Sequence, residues 1–309
     1  MKPLLNIRAY SLILGLLICS QFSFAQKQKQ KPLSLADYAQ WNSITTTAIS
    51  PNGVWMTYAY APNEGDATLH IRKIDGDTLR TAMNAKKAAF SGDSKWLGFL
   101  VNPSKEASEK LKKAKKPVLS DLQLLNLESN EVSKVTSVMA FDFSKTAKFI
   151  AIHKNRNDKK AEHKGSDLIL KDLTSNQTLN IGNVSSYAFN KEGTLFSYVV
   201  DADGDNGNGL YVIDLSNLRT WPLHTGAFTY EQLIWNKNGT QLAALVGAKK
   251  EGFIERENTL YWTSNLAPGM TTSGVQDTYE PVKDLNFNDD MVVSEYTELT
   301  WNEAGTQLF

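Results

Sequence analysis

A large apolar residue, a polar turn and a second apolar run follow one another six times along the chain. In the first copy, Ile49 ends an apolar stretch, residues 50–53 form the turn, and the second run begins at Val54. Two extended runs joined by a short turn rich in Asn and Gly are typical of a β-hairpin. The pattern therefore predicts six hairpins, whose first strands end at Ile49, Phe90, Phe143, Phe189, Trp235 and Trp301.

One position of the turn indicates a special backbone conformation. The fourth residue after each of these apolar residues is Gly in four copies and Ser or Ala in the other two: Gly53, Ser94, Ala147, Gly193, Gly239 and Gly305. Glycine reaches positive φ at little cost, because it has no Cβ to clash with the backbone. We therefore expect positive φ at this position of the turn.

A second apolar unit recurs between the hairpins. Its four copies occupy residues 69–74, 122–127, 168–173 and 210–215. A polar turn and then a short extended stretch follow, as in Val132 to Val138 and Thr178 to Ile181. Together with the hairpin, these segments give four predicted strands in each repeat.

The spacing of the repeats favours a β-propeller. The six apolar residues lie 41, 53, 46, 46 and 66 residues apart, close to the roughly 40 to 50 residues of a propeller blade. A β-sandwich would not repeat its turn chemistry at a fixed position, whereas blades arranged around a ring do. We predict an all-β propeller of four-stranded blades, with about five blades and the start of another. Such an unclosed ring should leave one apolar blade face exposed.

Two intervals between repeats contain extra residues. Residues 104–116 (SKEASEKLKKAKK) are polar and favour a helix, which predicts a solvated extension between two strands. Residues 267–290 are rich in Gly, Pro, Thr and Asp, and this composition predicts a loop between strands.

The N-terminus carries the pattern of a secretory signal. Residues 1–25 combine Lys2 and Arg8 with a short apolar centre and the small residues Ser23 and Ala25. We predict a signal peptide at 1–25, a polar linker at 26–32 and the incomplete propeller at 33–309, in an exported protein of the periplasm or cell exterior. Cys19, the single cysteine, lies within the predicted signal peptide. The apolar centre is shorter than the roughly 20 residues that cross a bilayer, so no membrane span is expected after cleavage.

The overall charge excludes some partners. Lys and Arg together number 33, as do Asp and Glu, which gives a formal net charge of zero. Binding to nucleic acid usually requires a basic face, and the lysines of residues 104–116 have no aromatic residues between them for base stacking. We therefore expect no nucleic-acid partner.

Known catalytic and metal-binding motifs are missing from the sequence. The strained turn of an α/β-hydrolase requires Gly-x-Ser-x-Gly, and the nearest approach, residues 92–96, has Trp96 in place of the second Gly. His70, His153, His163 and His224 share no motif; His70 and His153 fit strand patterns, and His163 lies in a charged loop expected to be solvated. We predict no catalytic, cofactor-binding or metal-binding residues in this chain and no cofactor.

One loop has some features of a calcium site. Residues Asp201 to Gly209 place carboxylates at alternate positions, as calcium loops do. Two departures count against calcium: Asn206 replaces the glycine of the sixth position, and Val212 replaces the carboxylate of the twelfth. Asp, Asn and Gly are also the usual residues of a turn between strands. The turn is the preferred interpretation, and calcium is kept as an alternative.

The repeats and the opening residues 33–44 (LSLADYAQWNSI) resemble the N-terminal propeller of exported prolyl oligopeptidase family serine peptidases, the Bacteroidetes type in particular. Residues 62–66 (PNEGD) and 293–296 (VSEY) also take part in the resemblance. The resemblance covers nearly the whole chain after the predicted signal peptide. The hairpin signature alone is shared with TolB-like propellers.

The resemblance implies a propeller that restricts the access of peptides to a C-terminal α/β-hydrolase domain carrying serine, aspartate and histidine. No position of this chain matches that triad, so we expect a C-terminally truncated, non-catalytic portion whose partners are peptides. The alternative is a stand-alone TolB-like periplasmic propeller for protein–protein interaction. The sequence does not predict an oligomeric state.

Overall fold

The computed structural model describes residues 32–39, 41–156, 162–248, 256–288 and 291–309. The predicted signal peptide and the linker up to residue 31 lie outside the described residues. The chain divides into two units at the boundary between Trp41 and Asn42. The described part of the first contains a short helix, α1 (Leu35–Ala39), whose start is held by Ser34 because its backbone N–H and hydroxyl both donate to Asp37 at 2.7 Å.

The second unit consists almost entirely of antiparallel strands. The fourteen strands of its first four repeats are β1 (Asn42–Ile49), β2 (Trp55–Pro62), β3 (Thr68–Lys73), β4 (Thr78–Met83), β5 (Ala85–Phe90), β6 (Trp96–Val101), β7 (Ser120–Asn126), β8 (Val132–Phe143), β9 (Phe149–Lys154), β10 (Ser166–Asp172), β11 (Thr178–Phe189), β12 (Leu195–Val200), β13 (Gly209–Asp214) and β14 (Arg219–Thr225). The fifth repeat supplies β15 (Thr229–Trp235), β16 (Leu242–Ala248), β17 (Glu257–Ser264) and β18 (Val275–Tyr279).

These strands form five four-stranded blades, which confirms the all-β propeller prediction. Blade 1 is the sheet β1–β4, and blade 5 is the sheet β15–β18. Between them a ten-stranded sheet contains blades 2, 3 and 4, which span residues 85–138, 138–184 and 184–225. Neighbours in each sheet are consecutive in sequence and antiparallel, so every blade is a simple meander. A sixth hairpin follows at the bridge between Trp301 and Leu308.

Two long strands carry the chain from one blade to the next. The first half of β8 pairs with β7 and its second half with β9, and Val138 at the junction pairs with both Ser120 and Lys154. In β11, Val184 does the same with Ser166 and Val200. The sequence pattern predicted the two halves as separate segments. The structure joins them because a single residue of positive φ redirects the strand without ending it.

Each blade has such a residue of positive φ in its first strand, and none of them is glycine: Thr46, Lys87, Ser137, Asn183 and Gln232. The pairing register shifts beside each one, as expected for a β-bulge. In β8 and β11 the bulge lies where the strand leaves one blade and aligns with the next.

The hairpin turns have the conformation that their sequence predicts. All six residues at the fourth turn position have φ between 57° and 71°, including Ser94 and Ala147. The residue that starts each turn is Ser in the first three copies and Asn in the last three, and all of these side chains accept a hydrogen bond from the backbone N–H five residues later. The distances are 2.9–3.2 Å for Ser50, Ser91, Ser144, Asn190, Asn236 and Asn302.

Turns of consecutive blades lie against one another. The Asn52 N–H donates to Ser94 Oγ at 3.1 Å, and Asn190 Nδ2 donates to the Gly239 carbonyl at 3.1 Å. A Cβ on Gly193 would come within 2.6 Å of the backbone nitrogen of Lys145 in the preceding turn, whereas a Cβ on Gly53 would meet nothing within 4 Å. Glycine at position 193 therefore serves both the backbone conformation and the close contact between blades.

Four apolar cores lie between successive blades, one at each junction. Trp55 and Leu69 meet Leu97 and Phe99 between blades 1 and 2, and the next two junctions are built in the same way. Between blades 4 and 5 the core contains Leu195, Leu210, Leu242 and Tyr261. Blades 2, 3 and 4 are thus stabilised by a neighbour on each face.

Blade 1 has one face without such a neighbour in the described structure. Met56, Tyr58 and Tyr60 occupy the repeat positions that in blade 2 are filled by Leu97, Phe99 and Val101. Leu97 and Phe99 are fully buried, whereas Tyr60 is 43% exposed. The face forms a shallow apolar groove whose lining includes Met56, Tyr58 and Tyr60.

The two long intervals differ from each other. Residues 104–116 contain a solvent-exposed helix, α2 (Lys105–Lys113), which Ser104 caps through its side chain and which confirms the predicted solvated extension. The prediction of a loop for 267–290 is wrong in part, because β18 pairs along β17 within that interval. Val275, Thr278 and Tyr279 are residue types enriched in strands, and β17 supplies the pairing partner. Among the described residues, no helix is long and apolar enough to cross a membrane.

Substituting two glycines of equivalent φ by alanine separates backbone strain from the contact between turns. We expect Gly53→Ala to lower the free energy of unfolding by about 1 kcal/mol, because its φ of 71° disfavours a Cβ. Gly193→Ala should cost about 1–3 kcal/mol more, because its Cβ overlaps the preceding turn. Urea unfolding monitored by tryptophan fluorescence measures both; equal losses would contradict the role assigned to the contact between turns.

Candidate binding cavity

The four histidines have different surroundings. His70 stacks on Tyr58 in blade 1, with ring centroids 5.2 Å apart. His163 is half-buried, and its buried Nδ1 has no hydrogen-bond partner among the described residues, so the solvated environment expected for it is wrong. His153 and His224 lie in blades 3 and 4 and are largely buried by their neighbours. Each of these two has a polar side-chain partner.

His153 lies beside a serine without forming a catalytic pair. Ser166 Oγ lies 2.9 Å from His153 Nε2, but the same hydroxyl donates to the Lys154 carbonyl at 2.8 Å. The carbonyl of Val184 lies 2.8 Å from His153 Nε2, which assigns the proton to that nitrogen. A protonated Nε2 does not accept a proton from serine. Both side chains are buried, and their role is to join the inner ends of β9, β10 and β11.

The loop from Asp201 to Gly209 is a turn stabilised by its own polar groups. Asp201 Oδ2 accepts a hydrogen bond from the backbone N–H of Lys164, Asp205 Oδ1 accepts one from Asn208 Nδ2, and Asn208 Oδ1 accepts one from the N–H of Ala202. Gly204 has φ of 66°, as the sharp turn requires. Within the described residues, no group of three His, Cys, Asp or Glu side chains is placed to hold a metal. The turn interpretation accounts for the loop.

A cavity of about 670 Å³ lies at the end of blade 5 that is remote from its hairpin turn. Its aromatic lining comes from His224 on β14, Phe228 in the following loop and Tyr261 on β17. The Tyr261 hydroxyl donates to the Leu223 carbonyl at 3.1 Å, and His224 Nδ1 lies 2.9 Å from the Tyr230 hydroxyl. These bonds fix the rings that line the cavity. Burial lowers the pKa of His224, so this imidazole is neutral at pH 7.

The opposite wall comes from the segment after β18. Pro281 is buried there, whereas Val282, Leu285, Met291 and Val292 are 58% exposed or more. Phe287 packs near Tyr279, with ring centroids 6.5 Å apart. Exposed apolar side chains gathered at the mouth of a cavity commonly mark a binding surface.

An ion-pair network holds the segment after residue 292 against blade 5. Arg256 Nη2 contacts Glu231 at 2.6 Å and Glu295 at 2.9 Å, while Asn258 Nδ2 donates to the Val293 carbonyl at 2.7 Å. Burial opposes ionisation of Glu295. Hydrogen bonds from its own backbone, Arg256 and Asn258 outweigh burial, so the pKa of Glu295 is lowered. The cavity wall is therefore anchored at its C-terminal side.

Sequence reasoning did not predict this cavity. The strand pattern explains Tyr261 as a blade residue. No local sequence feature shows that His224 of the preceding blade lies beside it, with ring centroids 5.2 Å apart. One signal was present in the sequence: Val282 and Leu285 are large apolar residues in the stretch interpreted as a loop between strands, and Met291 and Val292 follow it directly. Apolar residues without strand periodicity in such a stretch indicate a surface.

No family model matches the chain, and no curated protein matches it. Among solved structures, an oligogalacturonate lyase in complex with manganese is similar at a TM-score of 0.46 and 11% identity, covering 86% of this chain and 73% of that chain. The β-propeller domain of the Trilobed protease from Pyrococcus furiosus has a TM-score of 0.44 and 13% identity, covering 74% and 69%. TolB from Acinetobacter baumannii has a TM-score of 0.36 and 11% identity. The comparison with TolB covers 72% of this chain and about half of TolB, 52%.

Acid should reveal the structural role of His153. Burial lowers the pKa of this imidazole, although its bond to the Val184 carbonyl opposes the effect. The unfolded chain therefore binds a proton that the folded chain resists, and stability falls as pH drops below the ordinary value of about 6.5. His153→Gln should unfold more easily at pH 7.5, by about 1–3 kcal/mol, and lose less on going to pH 5.5 than the unsubstituted protein does. Urea titrations at both pH values test this; parallel losses in the two proteins would contradict it.

Proposed function

We propose that this chain is the non-catalytic propeller portion of a secreted prolyl oligopeptidase-type serine peptidase, in which it controls the access of peptides to a separate α/β-hydrolase domain. The cavity of blade 5 is the observation that carries the proposal. It combines rings fixed by hydrogen bonds, an apolar mouth and polar side chains such as Asn258, Thr259 and Thr278. A peptide offers apolar side chains and backbone amides together, which is the mixture that such a lining accommodates.

The chemistry of the described residues supports a binding role. Gly-x-Ser-x-Gly occurs nowhere in the sequence, and the one serine–histidine contact described above is buried, with its protons committed to carbonyl groups. The resemblance of residues 33–44 and 293–296 to peptidase propellers supports the family assignment. Export to the periplasm or cell exterior is part of the proposal and depends on residues 1–25.

The position of the cavity supports control of access. It lies where the strands of blade 5 end away from the stacked hairpin turns, beside the connection to the sixth hairpin. A cavity of about 670 Å³ holds a few residues of extended peptide and no folded domain. Loops on a rigid scaffold are the usual place for such selection.

Peptide binding is tested with fluorescently labelled six-residue peptides of mixed sequence, measured by anisotropy. We expect saturable binding that Leu285→Ala weakens about five- to tenfold, because a Leu side chain loses about 1 kcal/mol of burial on truncation. Leu218→Ala, in a hairpin turn remote from the cavity, serves as the matched control and should leave affinity unchanged. Binding to the same peptides that is unaffected by Leu285→Ala would place the peptide site elsewhere.

Peptide hydrolysis by this chain alone should be absent. The expected result is no release of product from peptidyl-proline reporter substrates and no covalent labelling by a serine-reactive phosphonate. Mass spectrometry of the labelled protein provides the measurement. Turnover that the phosphonate abolishes would overturn the assignment of a non-catalytic role. Tight binding of a folded protein instead of peptides would favour the stand-alone interaction propeller.

A further inference from the structure

The lining of the blade 5 cavity carries negative charge. Glu257, Glu280 and Asp284 belong to it, and no Lys or Arg is among the described lining residues. Burial keeps His224 neutral at pH 7, so it adds no positive charge. A ligand that enters this cavity meets carboxylates beside aromatic rings.

Among the described residues, neither Arg256 nor Lys283 is paired with Asp284. Arg256 is directed to Glu231 and Glu295, outside the lining. Lys283 pairs with Glu280 at 2.7 Å, with 71% of its side chain exposed to solvent. An exposed pair of this kind is weak and exchanges readily with another cation.

Neutral hydrogen-bond donors stabilise the ionised form of Asp284. Its carboxylate accepts hydrogen bonds from the Asn286 backbone N–H at 2.9 Å, the Asn286 side chain at 3.3 Å and the Tyr279 hydroxyl at 2.8 Å. These bonds lower the pKa of Asp284, the backbone bond most. Hydrogen bonds from neutral donors hold the carboxylate in place and leave its negative charge to act on a ligand.

The aromatic and apolar lining adds a second preference. Phe287 and Phe228 present rings to the cavity, and the face of an aromatic ring attracts a cation at close range. Leu285 and Met291 at the mouth supply apolar surface next to the carboxylates. A Lys or Arg side chain has both parts, an apolar stem and a cationic end.

We propose that this cavity selects peptide segments in which a Lys or Arg side chain stands next to an apolar residue, with Asp284 as the main contact for the cation. The inference depends on the proposed function, because it names the class of peptide that the propeller admits. It also assigns a specificity role to Asp284, which lies in the interval interpreted from sequence as a plain loop.

The test compares three labelled six-residue peptides that differ at one position, with Lys, norleucine or Glu beside a fixed Leu. Anisotropy at low salt should show the Lys peptide binding about tenfold more tightly than the Glu peptide, with norleucine between them. Added salt should reduce the difference, since exposed charges are screened. Asp284→Asn should remove most of the preference for Lys. Asp277→Asn, an exposed position on β18 outside the lining, is the matched control and should retain it.

Each outcome has one interpretation once thermal unfolding shows that both variants fold. Loss of the Lys preference in Asp284→Asn alone supports the inference. Equal affinities for the three peptides, or equal effects of the two substitutions, would overturn it and leave peptide binding intact. Failure of all three peptides to bind would overturn the proposed function as well.

Discussion

The structure depends on the contact between one hairpin turn and the next. Each turn needs a residue in the left-handed conformation, and that residue lies against the turn of the preceding blade in most copies. A side chain at Gly193 would overlap Lys145, and one at Gly305 would come within 2.8 Å of Asn236. The Ser or Asn that starts each turn satisfies the backbone N–H groups that the bend exposes. This combination fixes the spacing of the blades at one end, and the four apolar cores fill the space between the aligned sheets.

The opposite ends of the strands are freer to vary. There the connections carry the exposed helix α2, the self-contained turn from Asp201 to Gly209 and the wall of the blade 5 cavity. A scaffold held rigid on one side allows insertions on the other without loss of the cores. The longest interval between repeats is also the one that builds the cavity, because the segment after β18 folds back along the ends of β16 and β17.

The electrostatic design separates structural charges from those available to a ligand. Arg256 and Glu295 are partly buried and neutralise each other while holding the cavity wall. Asp284 is held by neutral donors on the surface, where its charge is retained. The segment after β18 thus contains one carboxylate committed to the fold and another that lines the blade 5 cavity.

The sequence by itself determined the class of fold and the conformation of the turns. An apolar position, a polar start and a left-handed fourth residue are local properties, so the six hairpins and the positive φ of Ser94 and Ala147 follow from the pattern. It also indicated the lack of a nucleophilic serine motif.

Only the tertiary structure decided where the blades join and where a ligand fits. The bulge at Ser137 has no glycine to reveal it, and pairing on both sides sets the φ of Ser137 and Asn183. The strand at Val275–Tyr279 forms because β17 offers it hydrogen-bond partners. The cavity brings His224 beside Tyr261 across two blades, and packing between residues far apart in the chain leaves no periodic trace in the sequence.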